Sequence, residues 1–325
     1  MAEWFYEEGI GENRAILVED GAILEAAIEL PAPFNVGTVI PARLVQTLIP
    51  RRRGIAVLDG GVEALIEPLP PGLTEGATFH AEIVREAMPE PGHAKRAIVR
   101  ATDDAPRPGP TLLERIGTVA RPTHGGDPFE AASWSELLEE AATGEIAFTG
   151  GALRMSPTPA ITLFDVDGVL PPAELAEAGA AAAGRSIRRF GIGGSIGIDL
   201  PTLPDRAARQ RAAAALDAVL PQPFERTAVN GFGFLQIVRR RTRASLPEIV
   251  RADPAGATAR ALLRRAERAE GTGGLIVQAA PSVIAYIEAR PDWIALLSRR
   301  TGVALALRAE PGRAISTGYV HRSQD

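Results

Sequence analysis

ITLFDVDG (161–168) and GGSIGIDL (193–200) are two apolar runs that each end on an acid, and the segment between them decides the fold. That segment, PAELAEAGAAAAGRSIRRFG (172–191), is alanine-rich, which predicts a helix. Strand, helix and strand in so short a span leave room only for a crossover onto a parallel neighbour. Ligands on open α/β sheets bind at the carboxyl ends of parallel strands, and here both ends present an aspartate, Asp165 and Asp199. Strand alternation also puts Asp167 on the face of Asp165, about 6.6 Å away at about 3.3 Å per residue. Hard oxygen ligands converging without His or Cys favour Mg2+, held by one or two carboxylates plus waters and substrate phosphate. The competing reading is local, because Asp-Gly and Asp-Leu-Pro are turn sequences and Asp is a common helix cap. One such aspartate favours the turn; two in register favour the metal.

Outward from this unit, SWSELLEEAATG (133–144) and DRAARQRAAAALDAVL (205–220) read as helices, and a strand pair is expected from about Glu225 to Arg241. NRAILVEDGAILEAAIEL (13–30) reads as a hairpin about Glu-Asp-Gly. Between Gly37 and Ala101, five β-type runs (38–49, 54–60, 62–69, 78–87, 94–101) are separated by Pro and Gly, which suggests a small closed barrel of OB type. Residues 103–132 are rich in Pro, Gly and Asp and read as a linker or mobile loop. From about residue 255, helix (258–270), strand (274–279), helix (282–300) and strand (303–309) alternate as in a small α/β domain. There is no internal repeat.

Composition limits the function classes. Of 325 residues 46% are hydrophobic, but no run reaches the roughly 20 apolar residues of a bilayer-spanning helix. The acidic N-terminus lacks a secretory pattern and there is no cysteine, so a cytoplasmic, non-membrane protein is expected. Net charge is −5, which argues against a polyanionic partner until the distribution is considered. Lys95 is the only lysine among 35 basic residues, and the arginines cluster at 51–53, at 185, 188 and 189, and at 239–241 with 243. On an extended strand Arg239, Arg241 and Arg243 would share one face, and guanidinium forks suit phosphate oxygens. On composition alone the favoured account of such clusters is a GC-rich coding style with each cluster a solvated face. His80, His93, His124 and His321 show no ligand spacing and read as surface residues. Ser195 has no histidine base nearby in sequence, so nucleophilic catalysis has no support.

Several of these segments, taken in order, resemble the ribonuclease E/G family. ENRAILVEDGAILEAAIE (12–29) is similar to the family's opening hairpin, and residues 37–101 sit where the family inserts its OB-type RNA-binding barrel. GALRMSPTPAITLFDVDG (151–168) resembles the approach to the first metal aspartate, with Asp167 where many members carry Asn. AGAAAAGRSIRRFGIGGSIGIDL (178–200) resembles the helix, Arg-rich turn and second metal aspartate, and VNGFGFLQIVRRRTRASL (229–246) the Phe-Gly segment followed by Arg-x-Arg.

The resemblance implies an α/β fold: a ribonuclease H-like catalytic subdomain (1–36 and 133–250) interrupted by the OB-type barrel (37–102) and the linker (103–132), then a small C-terminal α/β domain (251–325). It implies Mg2+-dependent hydrolysis of single-stranded RNA to 5′-phosphate and 3′-hydroxyl products. Asp165 and Asp199 would hold the metal with Asp167 in support, Phe232 and Gly233 would form the turn, and Arg239 and Arg241 would be the RNA-side arginines. Arg243 and Lys95 are further phosphate contacts.

Departures from the family pattern limit the expectation. Without cysteine the family's zinc-linked dimer cannot form, although a homodimer of another kind stays open. About 60 residues between barrel and Asp165 are too few for the family's 5′-monophosphate pocket. The barrel runs GIAVLDG and VEALIEPL lack aromatics for base stacking, worth about 1–3 kcal/mol each. Two alternatives follow: a non-catalytic RNA-binding relative, and a phosphatase, since FDVDGVL also resembles the first motif of haloacid-dehalogenase-type enzymes. Those enzymes need a later lysine and a further acidic pair, and neither follows Asp165.

Overall fold

A computed structural model describes residues 1–89, 94–120, 126–158, 160–203 and 205–323. The chain is a mixed α/β protein that clusters into two compact units, one of residues 1–5, 16–27 and 32–248, the other of 6–15, 28–31 and 249–325. No helix among the described residues is long and apolar enough to cross a membrane.

An N-terminal three-stranded sheet, β1 (Glu3–Glu8), β2 (Asn13–Glu19) and β3 (Ala22–Glu29), contributes residues to both units. Asp20 (φ 51°) and Gly21 (φ 78°) between β2 and β3 form the two-residue left-handed turn that matches strand twist. β1, acidic and aromatic, is an addition to the hairpin expected from sequence.

Five strands then close a barrel in the order β4 (Val39–Ile49), β5 (Arg53–Leu58), β6 (Glu63–Ile66), β8 (Ala97–Thr102), β7 (Thr78–Arg85). All five match the expected runs, and β6 pairs with β8 in parallel while the other neighbours are antiparallel. Alternate residues fill the interior: Ala42 and Leu44, Ala56 and Leu58, Ala64 and Ile66, Ala81 and Ile83, Ala97 and Val99.

The segment 103–132 holds two short helices, α1 (Leu112–Ile116) and α2 (Pro128–Ala131), instead of a plain linker. Thr111 and Glu114 cap α1 reciprocally, and Asp127 caps α2. Capping by single side chains stabilises a helical turn inside a Pro- and Gly-rich stretch, where periodicity has too few residues to show. After α3 (Trp134–Thr143), the edge strand β9 (Glu145–Phe148) and its neighbour β10 (Gly151–Pro157) lead into β11 (Thr162–Gly168), α4 (Pro172–Arg189), β12 (Gly194–Asp199), α5 (Arg206–Asp217), β13 (Glu225–Arg226) and β14 (Phe234–Arg239). The sheet runs β13-β14-β12-β11-β10-β9, with only β11 and β12 parallel.

Antiparallel neighbours allow a sheet to stay open on one side. Leu153, Met155, Phe164, Val166, Ile196, Ile198, Leu235 and Ile237 form the buried face, against which α4 packs at β9, β10 and β11. On the other face Glu145, Arg154, Asp165, Asp167, Asp199, Gln236 and Val238 are exposed.

The second unit contains α7 (Pro254–Glu267), β15 (Leu275–Ala279), α8 (Pro281–Glu288), α9 (Pro291–Thr301), β16 (Leu305–Ala309) and β17 (Gly318–Arg322); α6 (Leu246–Ala252) precedes it in the chain. Its sheet is ordered β16-β15-β17, with β17 antiparallel. Residues 282–300, expected as one helix, are two: Pro291 cannot donate into a preceding turn, so the first helix stops at Glu288 and the second starts at Pro291. This unit also buries an ionic network in which Arg14, Arg260 and Arg264, each at most 3% exposed, meet Glu12 and Glu7.

Candidate active site

β11 and β12 pair in parallel with Asp165 opposite Asp199, so strand alternation turns both side chains to the open face. Neighbouring strands are about 4.8 Å apart, within the span that one cation bridges. Extending the same row gives Glu145 on β9, Arg154 on β10, Asp165, Asp199 and Phe234 on β14. Arg154 is thus the direct cross-strand partner of Asp165. β11 continues past Asp165 to Gly168, so Asp167 stands one pleat further along on the same face, opposite Ala152 and without a β12 partner.

The local reading of these aspartates can be tested against the caps. α4 is capped at Pro171 without a side-chain bond, and α5 by Asp205, whose Oδ1 accepts the Ala208 N–H at 2.7 Å. Among the described residues, neither Asp165, Asp167 nor Asp199 accepts a hydrogen bond or joins an ion pair. Like charges directly opposite on neighbouring strands destabilise a sheet. Two unpaired, exposed carboxylates side by side are therefore a donor set suited to a hard divalent cation that keeps waters in its shell. No group of three or more His, Cys, Asp and Glu that could hold a metal occurs among the described residues.

The turn 230–233 borders Asp199. Asn230 Oδ1 accepts the N–H groups of Phe232 (2.9 Å) and Phe234 (3.0 Å). Gly233 has φ +91° and its carbonyl accepts the Leu200 N–H at 3.2 Å; a Cβ there would lie 2.1 Å from the Leu200 oxygen, so only glycine fits. Phe232, one residue before the glycine that bonds Leu200, is 83% exposed. Val169, just past Asp167, is 92% exposed.

The arginines depart from expectation. β14 ends at Arg239, so Arg239, Arg241 and Arg243 do not share a strand face. Arg239 follows Leu235 and Ile237 on the helix-covered side, opposite to Asp199, and its Nη1 donates to the Ile192 carbonyl at 3.1 Å. Burial holds its pKa below the usual arginine value, with Arg188 acting in the same direction and Glu25 against it. Arg241 pairs with Glu248, and Arg243 Nε with Glu86 at 3.0 Å. Arg188 pairs with Glu25 at 2.9 Å, and Arg189 with Glu140. Lys95 lies on a bridge to Met88 between β7 and β8. In the barrel Arg53 pairs with Glu67, and Arg96 with Glu63, both at 2.8 Å. His80 Nδ1 lies 2.9 Å from the Asp104 carbonyl oxygen, and His321 is exposed; His93 and His124 are outside the described residues. Arg154 was missed because nothing local in LRMSP marks it; its place beside Asp165 depends on the register of β10.

No protein-family model matches the chain, and no curated protein matches it either.

Proposed function

We propose that this chain is a Mg2+-dependent endoribonuclease that hydrolyses single-stranded RNA in RNA processing or decay. The observation that carries the proposal is the in-register placement of Asp165 and Asp199 on parallel strands, both exposed and both without a partner among the described residues. In this reading the open-faced sheet and its helix layer serve as a ribonuclease H-like catalytic subdomain, and the barrel as an OB-type RNA-binding insert. The strand order and the parallel β6–β8 pair support the second assignment.

Asp165 and Asp199 would hold the ion, which when bound supplies a Lewis acid that lowers the pKa of water and offsets charge on the phosphodiester. Asp167 accepts a hydrogen bond from the attacking water and orients it. Arg154, exposed and across the strand from Asp165, donates to a non-bridging phosphate oxygen, a role better suited to it than to the half-buried Arg239, which donates to the Ile192 carbonyl, or to Arg241 and Arg243, which are ion-paired. Phe232 offers its ring to a base flanking the scissile bond.

The test is incubation of the purified chain with an end-labelled, unstructured RNA in Mg2+ and in EDTA. Cleavage is expected with Mg2+ alone. Asp165→Asn should lower it by roughly a hundredfold or more, the scale on which removing preorganised charge from a reacting group acts, while RNA retention and the circular dichroism spectrum persist. Undiminished cleavage by the folded variant refutes the assignment; RNA binding without cleavage by the unsubstituted chain leaves a non-catalytic RNA-binding protein.

A further inference from the structure

The sheet of the second unit is also two-faced. Leu275, Val277 and Ala279 of β15 join Leu305 and Leu307 of β16 and Val320 of β17 in a core with α7, α8 and α9. The intervening residues therefore lie on the opposite face. Register gives two rows there: Arg308, Gln278 and Tyr319, and one pleat away Ala306, Ile276 and His321. Arg308, Ala306, Tyr319 and His321 on the two outer strands are exposed, Tyr319 by 59%, while on the central strand Gln278 is half-buried and Ile276 is buried. Arg313, from the loop before β17, places its guanidinium over the Tyr319 ring at 4.5 Å and neutralises Glu310.

No residue of β15, β16 or β17 is acidic, in a protein whose net charge is −5. Arg322, the remaining strand cation, is held by the carbonyls of Ala269 and Gly273, which leaves Arg308 as the strand guanidinium on the open face. An exposed ring, a second ring two residues along, a side-chain amide between an arginine and the tyrosine, and no carboxylate in the strands form a set with a specific chemical match. Stacked bases occupy ring faces, phosphates pair with guanidinium, and an acidic partner is favoured where a basic one gains nothing.

We propose that the open face of β16-β15-β17 is a binding platform for a single-stranded polynucleotide, with Tyr319 and His321 as stacking surfaces and Arg308 as the phosphate contact. This platform is separate from the Asp165–Asp199 site and does not depend on cleavage there.

The experiment uses the full chain in EDTA with fluorescein-labelled oligouridylate and oligothymidylate, read by anisotropy; the two oligonucleotides distinguish RNA from DNA as the ligand. Tyr319→Ala and Arg308→Glu should each weaken binding about tenfold or more, while Tyr319→Phe, which keeps the ring, stays near the unsubstituted value. Photo-crosslinking of a 4-thiouridine oligonucleotide, mapped by mass spectrometry, should mark the peptide containing Gly318–Arg322. The proposal is overturned by no binding by the unsubstituted chain, by unchanged affinity in a folded Tyr319→Ala/Arg308→Glu double variant, or by a sedimenting dimer that the double variant abolishes. Crosslinks confined to the peptide of Phe232 would likewise overturn it while leaving the endoribonuclease reading intact, and loss of Mg2+-dependent cleavage alone would do the reverse.

Discussion

Arg154 owes its position to a pairing of seven residues on each strand: Gly151 to Pro157 runs antiparallel to Thr162 to Gly168, and this register sets Arg154 directly across from Asp165. A cation next to a carboxylate that binds metal acts in two opposite ways. It competes with the metal for Asp165, and it supplies a charged donor for substrate phosphate. A charge-assisted hydrogen bond is worth about 1.5–3 kcal/mol, so Arg154→Ala should lower kcat/KM for RNA cleavage by about ten- to hundredfold at about 1.4 kcal/mol per decade. The Mg2+ concentration giving half-maximal rate should hold or fall, because the competing cation is gone; a rise would show that Arg154 orders the carboxylate and does not contact substrate. Neither effect follows from the strand LRMSP read by itself.

At the scale of elements, α4 lies close over β11 because small residues line the contact. Gly179, Ala176, Ala180 and Ala183 are buried, and a Cβ on Gly179 would approach Val166 Cγ1 at 2.4 Å. Helix propensity alone says that Gly179→Ala stabilises by about 1 kcal/mol. Val166 is β-branched and buried on a central strand, with little room to yield, so the steric term wins. The expected result is destabilisation of about 1–3 kcal/mol, read by urea unfolding, and a gain in stability would show that helix and sheet can separate freely. The alanine-rich helix was legible from composition, as were β11, β12 and the five barrel strands. The short edge strands were not: β9 and β17 have four and five residues, and so short a run carries little periodicity. The strand expected through Arg241 ends at Arg239, and beyond it the backbone of Arg240 passes so close to Gly193 that a Cβ there would lie 2.8 Å from the Arg240 oxygen.

At the scale of the molecule, the second unit depends on charges that sequence periodicity cannot reveal. Arg14 and Arg260 are each bound by Glu12, with Arg260 Nε 2.9 Å from Glu12 Oε2, and all three are under 8% exposed. Removing one partner of a buried ion pair leaves uncompensated charge and costs about 3–5 kcal/mol. Glu12→Ala should therefore unfold this unit at markedly lower urea than the unsubstituted chain, monitored through Trp293 fluorescence after replacement of the other two tryptophans by phenylalanine. An unchanged midpoint would mean that water reaches these groups.

The sequence by itself determined what depends on near neighbours: the Asp-Gly turn, the alternation that builds the barrel interior, the helix between two acid-ended strands, and the common face of Asp165 and Asp167. Each follows from the backbone geometry of a few consecutive residues. Only the tertiary structure decided which residues stand opposite one another across strands, Asp165 with Asp199, Arg154 with Asp165, and Arg308 and Tyr319 on either side of Gln278, and which ion pairs occupy Arg241 and Arg243. Those meetings are set by register between segments distant in the chain, and no local property of either segment specifies it.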